Sequence, residues 1–161
     1  MTEPLRAALA RLIEHDEGFR AQVYDDATGL PIGPGSHVVG HPTVGWGRAL
    51  DIAPLTLSEA LVLRENSEAA AIGDARFLVG DAAWSGLGVA RQAALANMAY
   101  QLGRAGLGAF RALIEAVRAG DWQAAHDAAL DSRAARQAPA RWRRNATMLL
   151  TGAMPAVNEG V

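Results

Sequence analysis

Between Glu17 and Asp26 the chain reads Glu17-Gly18-Phe19-Arg20-Ala21-Gln22-Val23-Tyr24-Asp25-Asp26, and a helical pattern gives way here to a strand-favouring one. Upstream, Leu5, Leu9, Leu12 and Ile13 recur at helical spacing, which predicts a helix over 3–17. Thr2 suits its N-cap, and Pro4 is tolerated in the first turn. Gly18 ends it. Projected at about 100° per residue, Asp16 falls in the middle of the apolar stripe and Glu17 at its edge. Acids at a helix C-terminus oppose the dipole there, so both need another reason for being present.

Downstream, from Phe19 to Pro54, Gly29, Pro31, Gly33, Pro34, Gly35, Gly40, Pro42, Gly45 and Gly47 crowd a short span. Val23, Tyr24, Val38, Val39, Thr43, Val44 and Trp46 favour strands between them. The expectation is a two- or three-stranded antiparallel sheet with a long, turn-rich connection, packed on a helix for stability. After Pro54 the texture is helical again. Thr56 or Ser58 caps a helix expected to run to about Gly73, and a short helix is expected within 74–88. Val89 to Leu102 is apolar on most sides, which predicts a buried central helix broken by Gly103, Gly106 and Gly108. Further helices are expected over 110–119, over 121–130 with Asp121 as N-cap, and over 141–150. The class is α+β, mostly α, with a small β-lobe inserted after the first helix.

At 161 residues, with 50% hydrophobic and 20% charged residues, the chain has the balance of one globular domain. A net charge of −2 argues against a general nucleic-acid binder. All 15 basic side chains are Arg, so Schiff-base chemistry on lysine is excluded. Without cysteine there are no thiol nucleophiles, disulfides or thiolate-bound zinc. No apolar run approaches the roughly 20 residues of a membrane helix, and the N-terminus does not read as a signal peptide. Ser36, Ser67 and Ser85 lack the context of a nucleophile elbow. His37 and His41 sit four apart in a Gly/Pro-rich stretch rather than a helix, and read as solvent-facing loop histidines; no metal site is expected.

Hydrolysis of a glycosidic bond typically needs one carboxyl that donates a proton and one that stays ionised. Burial raises the first toward working pH, while the second remains solvated. Glu17, at the edge of an apolar helix face, and Asp26, beyond a strand and near a turn, suit that division. The alternative is a surface acid near a helix end and an unrelated turn residue, and spacing alone leaves both open.

Beyond spacing, three segments resemble the active-site region of the phage T4-type lysozymes, glycoside hydrolase family 24. They are His15-Asp16-Glu17-Gly18-Phe19-Arg20, Val23-Tyr24-Asp25-Asp26 and Pro42-Thr43-Val44-Gly45-Trp46-Gly47-Arg48. Glu17 and Asp26, with eight residues between them, reproduce the family's Glu–Asp interval. Asn97-Met98-Ala99-Tyr100-Gln101-Leu102-Gly103 is similar to its central helix. Gly120-Asp121-Trp122-Gln123-Ala124-Ala125 is similar to a short Trp-containing helix. Asp131-Ser132-Arg133 through Gln137-Ala138-Pro139-Ala140-Arg141 resembles a cleft segment, so the likeness covers about residues 5–152.

The resemblance implies a single lysozyme-like domain over 1–161, with a β-lobe at about 19–54 and a helical lobe at about 55–155 joined by the N-terminal helix. It implies a muramidase cutting the β-1,4 bond between N-acetylmuramic acid and N-acetylglucosamine. Glu17 would be the general acid. Asp26, helped by Thr43, would direct the attacking water, with inversion and carboxyl carbons about 6.5–9.5 Å apart. Tyr100, Gln101 and Gln137 would line the cleft. Arg141 would pair with Glu17, and Arg144 with the more buried Asp16. The partner implied is the peptidoglycan glycan strand, with no cofactor, no nucleic acid, no membrane insertion and a monomeric state. The enzyme would be made in the bacterial cytoplasm without a signal peptide and reach the wall after holin-type release.

Three departures stand out. Sixteen residues, Ala27 to Pro42, separate Asp26 from Thr43, where the family has a short interval. An extended β-lobe flanking the cleft is the expected consequence, with Thr28 a rival to Thr43. Arg48 replaces a frequent His, and Ala134 a frequent Trp, so the support behind Gln101 must differ. Of Trp46, Trp84, Trp122 and Trp142, core packing is expected for most and ligand contact is best placed at Trp46. Arg133, Arg136, Arg141, Arg143 and Arg144 read as a solvated face with two ion pairs, or as a surface drawn to anionic wall. Two other functions are weighed: a non-catalytic glycan-binding or phage-particle protein on the same fold, and a transglycosylase forming an anhydro-sugar.

Overall fold

The computed structural model describes residues 3–155; the expected cap Thr2 lies outside them. By its contacts the chain divides into two units, Met1–Ala60 and Leu61–Val161. The first unit opens with α1, Glu3–Glu17, over the span its apolar periodicity predicts. Gly18 terminates it with a positive φ. The sheet has three strands, β1 (Arg20–Asp25), β2 (Pro42–Gly45) and β3 (Arg48–Ala49), antiparallel in the order β1-β2-β3.

Register in the sheet places Tyr24 opposite Thr43 and Asp25 opposite Pro42, with an irregularity between Arg20 and Tyr24. Tyr24 also bridges Pro31, and the Ile32 amide donates to the Val23 carbonyl at 2.9 Å. The long connection thus returns along the other edge of β1 before crossing to β2. Arg20 secures its first turn, stacking on the Tyr24 ring at 3.6 Å and donating to the Gly29 carbonyl at 2.9 Å.

Helix α2, Leu57–Val79, starts on a reciprocal cap. The Thr56 amide donates to Glu59 Oε2 at 2.8 Å, and the Glu59 amide points back at Thr56 Oγ1 at 3.4 Å. Arg48 supports this start by pairing with the same Glu59 carboxylate and donating to the carbonyls of Ala53 and Pro54. The helix runs past Gly73, where the sequence predicted its end. A helical glycine costs about 1 kcal/mol, and the burial of Ala71, Ala75 and Val79 outweighs it.

The second unit continues with α3 (Asp81–Gly86), α4 (Val89–Gly108), α5 (Arg111–Ala119), α6 (Trp122–Leu130), α7 (Arg133–Gln137) and α8 (Pro139–Thr151). Its core gathers Leu95, Met98, Leu107, Leu113, Val117, Trp142 and Leu149 with a filling of buried alanines. Full burial of each large aliphatic side chain contributes about 1.5–3 kcal/mol. Alanines at 94, 99, 125, 129 and 146 let α4, α6 and α8 approach closely around them.

Of the three glycines expected to break α4, only Gly103 leaves helical geometry, at φ 68° and ψ 172°. Gly106 and Gly108 carry the helical continuation to its end. Asp121 caps α6 as expected, accepting the Ala124 amide at 2.9 Å. Helix α7 was not foreseen. Ser132 caps it through the Ala135 amide at 2.9 Å, and Pro139 then opens α8. Among the described residues no helix is long and apolar enough to cross a membrane.

Candidate functional site

In the first unit the candidate acids are placed by backbone that approaches them closely. Glu17 is the last residue of α1 and is exposed. The β2–β3 turn brings Gly47 against it: a Cβ built there would lie 2.9 Å from Glu17 Oε2. Gly47 also has φ 75°, so both the turn and the carboxylate call for glycine.

Asp26 lies just beyond β1 and is exposed. Its Oδ1 accepts the His41 amide at 2.7 Å, and its own amide donates to the His41 carbonyl at 3.1 Å. Thr43 is 2% exposed, and its Oγ1 donates to that same His41 carbonyl at 3.1 Å. Asp26 and Thr43, with sixteen residues between them, are therefore both tied to the backbone of His41. Thr28 is engaged elsewhere, its Oγ1 accepting the Leu30 amide at 3.3 Å.

Asp25 was missed by sequence reasoning. It is 3% exposed, and its carboxylate accepts the amides of Val39 at 2.8 Å and of Gly40 and Ala27 at 3.0 Å each. The Val39 amide is the main reason its pKa falls below the ordinary carboxylate value; burial opposes the fall, and the other amides and Thr28 add to it. The available signal was an aspartate opening a turn at Thr28-Gly29, a pattern in which the side chain captures nearby amides.

His41, expected to be a solvent-facing loop histidine, lies in the loop before β2 half-exposed and has a partner that the sequence does not announce. Its Nδ1 lies 2.8 Å from Asp51 Oδ2. The hydrogen bond and charge of Asp51 raise its pKa, burial lowers it, and the charges of Asp26 and Asp25 raise it further. Reciprocally, the His41 hydrogen bond lowers the pKa of Asp51. Among the described residues no group of three His, Asp or Glu side chains could hold a metal ion. Phe19 and Trp46, both exposed, form a tilted pair with centroids 4.9 Å apart. Asp16, expected to meet Arg144, lies 2.9 Å from the Nδ1 of its neighbour His15.

The remaining candidates belong to the second unit. Gln101 Oε1 accepts the Trp142 indole N–H at 3.0 Å, which supplies the support that Ala134 does not. Trp142 is fully buried and stacks on Phe110 at 5.3 Å. Tyr100 is exposed at the edge of a groove of about 610 Å³, which Trp84, Asn97, Ile72 and Arg64 also line. Gln137 ends α7 and is exposed, as are Arg141 and Arg144 on α8.

No protein-family model matches the chain. The chain is similar to the pre-baseplate central spike protein Gp5 of Enterobacteria phage T4. The two are 33% identical over 161 residues, taking in 90% of this chain and 28% of that protein. It thus spans less than a third of the curated relative it matches, and its kinship is with part of a phage protein.

Proposed function

We propose that the chain is a phage-derived muramidase that hydrolyses the β-1,4 bond between N-acetylmuramic acid and N-acetylglucosamine. Glu17 protonates the leaving oxygen. Asp26, with Thr43 beside it on the His41 backbone, directs a water to the opposite face of the sugar, and the product anomer is inverted. Tyr100, Gln101 and Gln137 hold the glycan. The enzyme acts as a monomer, reaching the wall by release at lysis.

The observation that supports this reading is that backbone closely approaches both carboxylates, Gly47 at Glu17 and Gly40 with His41 at Asp26. Unrelated surface acids have no need of such placement. Purified wild type, Glu17→Gln and Asp26→Asn are incubated with peptidoglycan and the product ends read by mass spectrometry. New reducing muramic-acid ends from wild type alone support the assignment. Equal cleavage by all three sinks it, and anhydro ends indicate transglycosylation instead.

A second reading is a non-catalytic component of a phage particle. The similarity to a pre-baseplate central spike protein favours it. In that case wild type leaves peptidoglycan intact, and the chain is found by mass spectrometry in purified virions.

A further inference from the structure

We propose that the segment from Ala27 to His41 is the positioning device for Asp26, acting through Gly40 and the His41 amide and anchored by Asp25. This rests on the reading of Asp26 as the group that directs water. The far end of the segment is packed directly on the carboxylate. His41 donates its amide to Asp26 Oδ1 at 2.7 Å, and a Cβ at Gly40 would lie only 2.1 Å from that same oxygen. It would also meet the Cβ and amide nitrogen of Ala27 at 2.8 Å each, so the chain has no room to step aside. With Oδ1 held by the amide, Oδ2 is the oxygen left to face a water, in a direction set by the backbone. Directional placement of this kind governs rate, and a displacement of about 1 Å can cost on the order of a hundredfold.

The anchor is the neighbouring acid. Asp25 draws in Val39 and Gly40 by their amides at 2.8 and 3.0 Å and closes the near end through the Ala27 amide at 3.0 Å. It is buried where Asp26 is exposed. The Asp25-Asp26 doublet therefore divides its labour: the first carboxylate folds the segment, and the folded segment aims the second. The sixteen residues between Asp26 and Thr43 consequently do not loosen the pair.

The test compares wild type with Gly40→Ala, with Gly33→Ala and with Asp25→Asn. Position 33 is the control, since a Cβ there meets nothing within 4 Å. Asp25→Asn replaces one of the two accepting oxygens with a donor, loosening the segment without adding volume, and serves if Gly40→Ala does not fold. On soluble peptidoglycan oligomers, Gly40→Ala is expected to lose about 10- to 100-fold in kcat with KM within about threefold, and Gly33→Ala to match wild type. By NMR, the His41 amide of wild type is expected to follow the titration of the Asp26 carboxyl. A folded Gly40→Ala or Asp25→Asn with wild-type kcat, an equal loss in Gly33→Ala, or a wild-type His41 amide blind to Asp26 overturns the inference and leaves the hydrolase reading standing. A wild type that cleaves nothing defeats both, and is told apart because the unaltered protein itself is silent.

Discussion

The indole N–H of Trp142 donates to Gln101 Oε1 at 3.0 Å, joining the core of α8 to a polar side chain of α4. The ring is fully buried against Phe110, so the amide of Gln101 is set by a side chain that cannot shift without opening the core. Trp142→Phe keeps the stacking and removes the donor. It is expected to cost about 1–3 kcal/mol through the stranded carboxamide oxygen. Trp142→Ala is expected to cost about 3–5 kcal/mol. Urea unfolding measures both, and glycan cleavage should fall in Trp142→Phe more than its stability loss explains.

Gly47→Ala is expected to harm activity by two routes. The position holds φ 75°, which costs an L-residue about 1–2 kcal/mol, and the new methyl would crowd Glu17 Oε2 at 2.9 Å. A fall in kcat exceeding the effect of Gly45→Ala, whose Cβ meets nothing within 4 Å at φ 70°, separates the crowding from the strain.

Acid stability should depend on Glu59. Arg48 first, then the Thr56 hydroxyl and amide, lower its pKa to about 2. A depressed carboxylate contributes stability that is complete above its unfolded pKa and is lost as pH falls toward 2. Melting curves from pH 6 to pH 2 should therefore drop more steeply in wild type than in Glu59→Gln. Thr56→Ala, which removes the capping hydroxyl, is expected to cost about 1 kcal/mol at neutral pH.

The His41–Asp51 pair carries the opposite dependence on its basic side. The His41 pKa is raised, chiefly by the Asp51 hydrogen bond, so its contribution is complete below about 6.5, the unfolded value, and fades as pH rises through the higher folded value. The melting temperature of Asp51→Asn should lie below wild type near pH 5.5 and converge on it above pH 8. Titration of the His41 ring by NMR should show the raised midpoint directly.

Legibility of the chain varies with the range of the interactions that fold it. Helix α1 and the Asp121 cap of α6 were readable because periodicity and capping are local. The end of α2 was misplaced because Gly73 punctuates locally, whereas Ala71, Ala75 and Val79 hold the helix by packing that sequence spacing does not report. The segment after Asp26 was readable as an insertion but not as a structure. Its organiser, Asp25, acts on amides fourteen and fifteen positions away, and nothing in Val39-Gly40 announces that partner. For the same reason the Asp51 partner of His41, ten positions away, was not legible. Glu17 and Asp26 are candidates by resemblance, and the glycines that press on them emerge only in three dimensions.

Residue 41 meets Asp26 and Thr43 with its peptide groups alone, so its imidazole is surplus to that contact. Substitutions there can retune how the molecule responds to acidity while the backbone hydrogen bonds to Asp26 and Thr43 are inherited intact. The adjacent position has no such licence: one added methyl at Gly40 strikes the carboxylate. Drift among relatives carrying this segment should therefore be generous at one site and forbidden at the next.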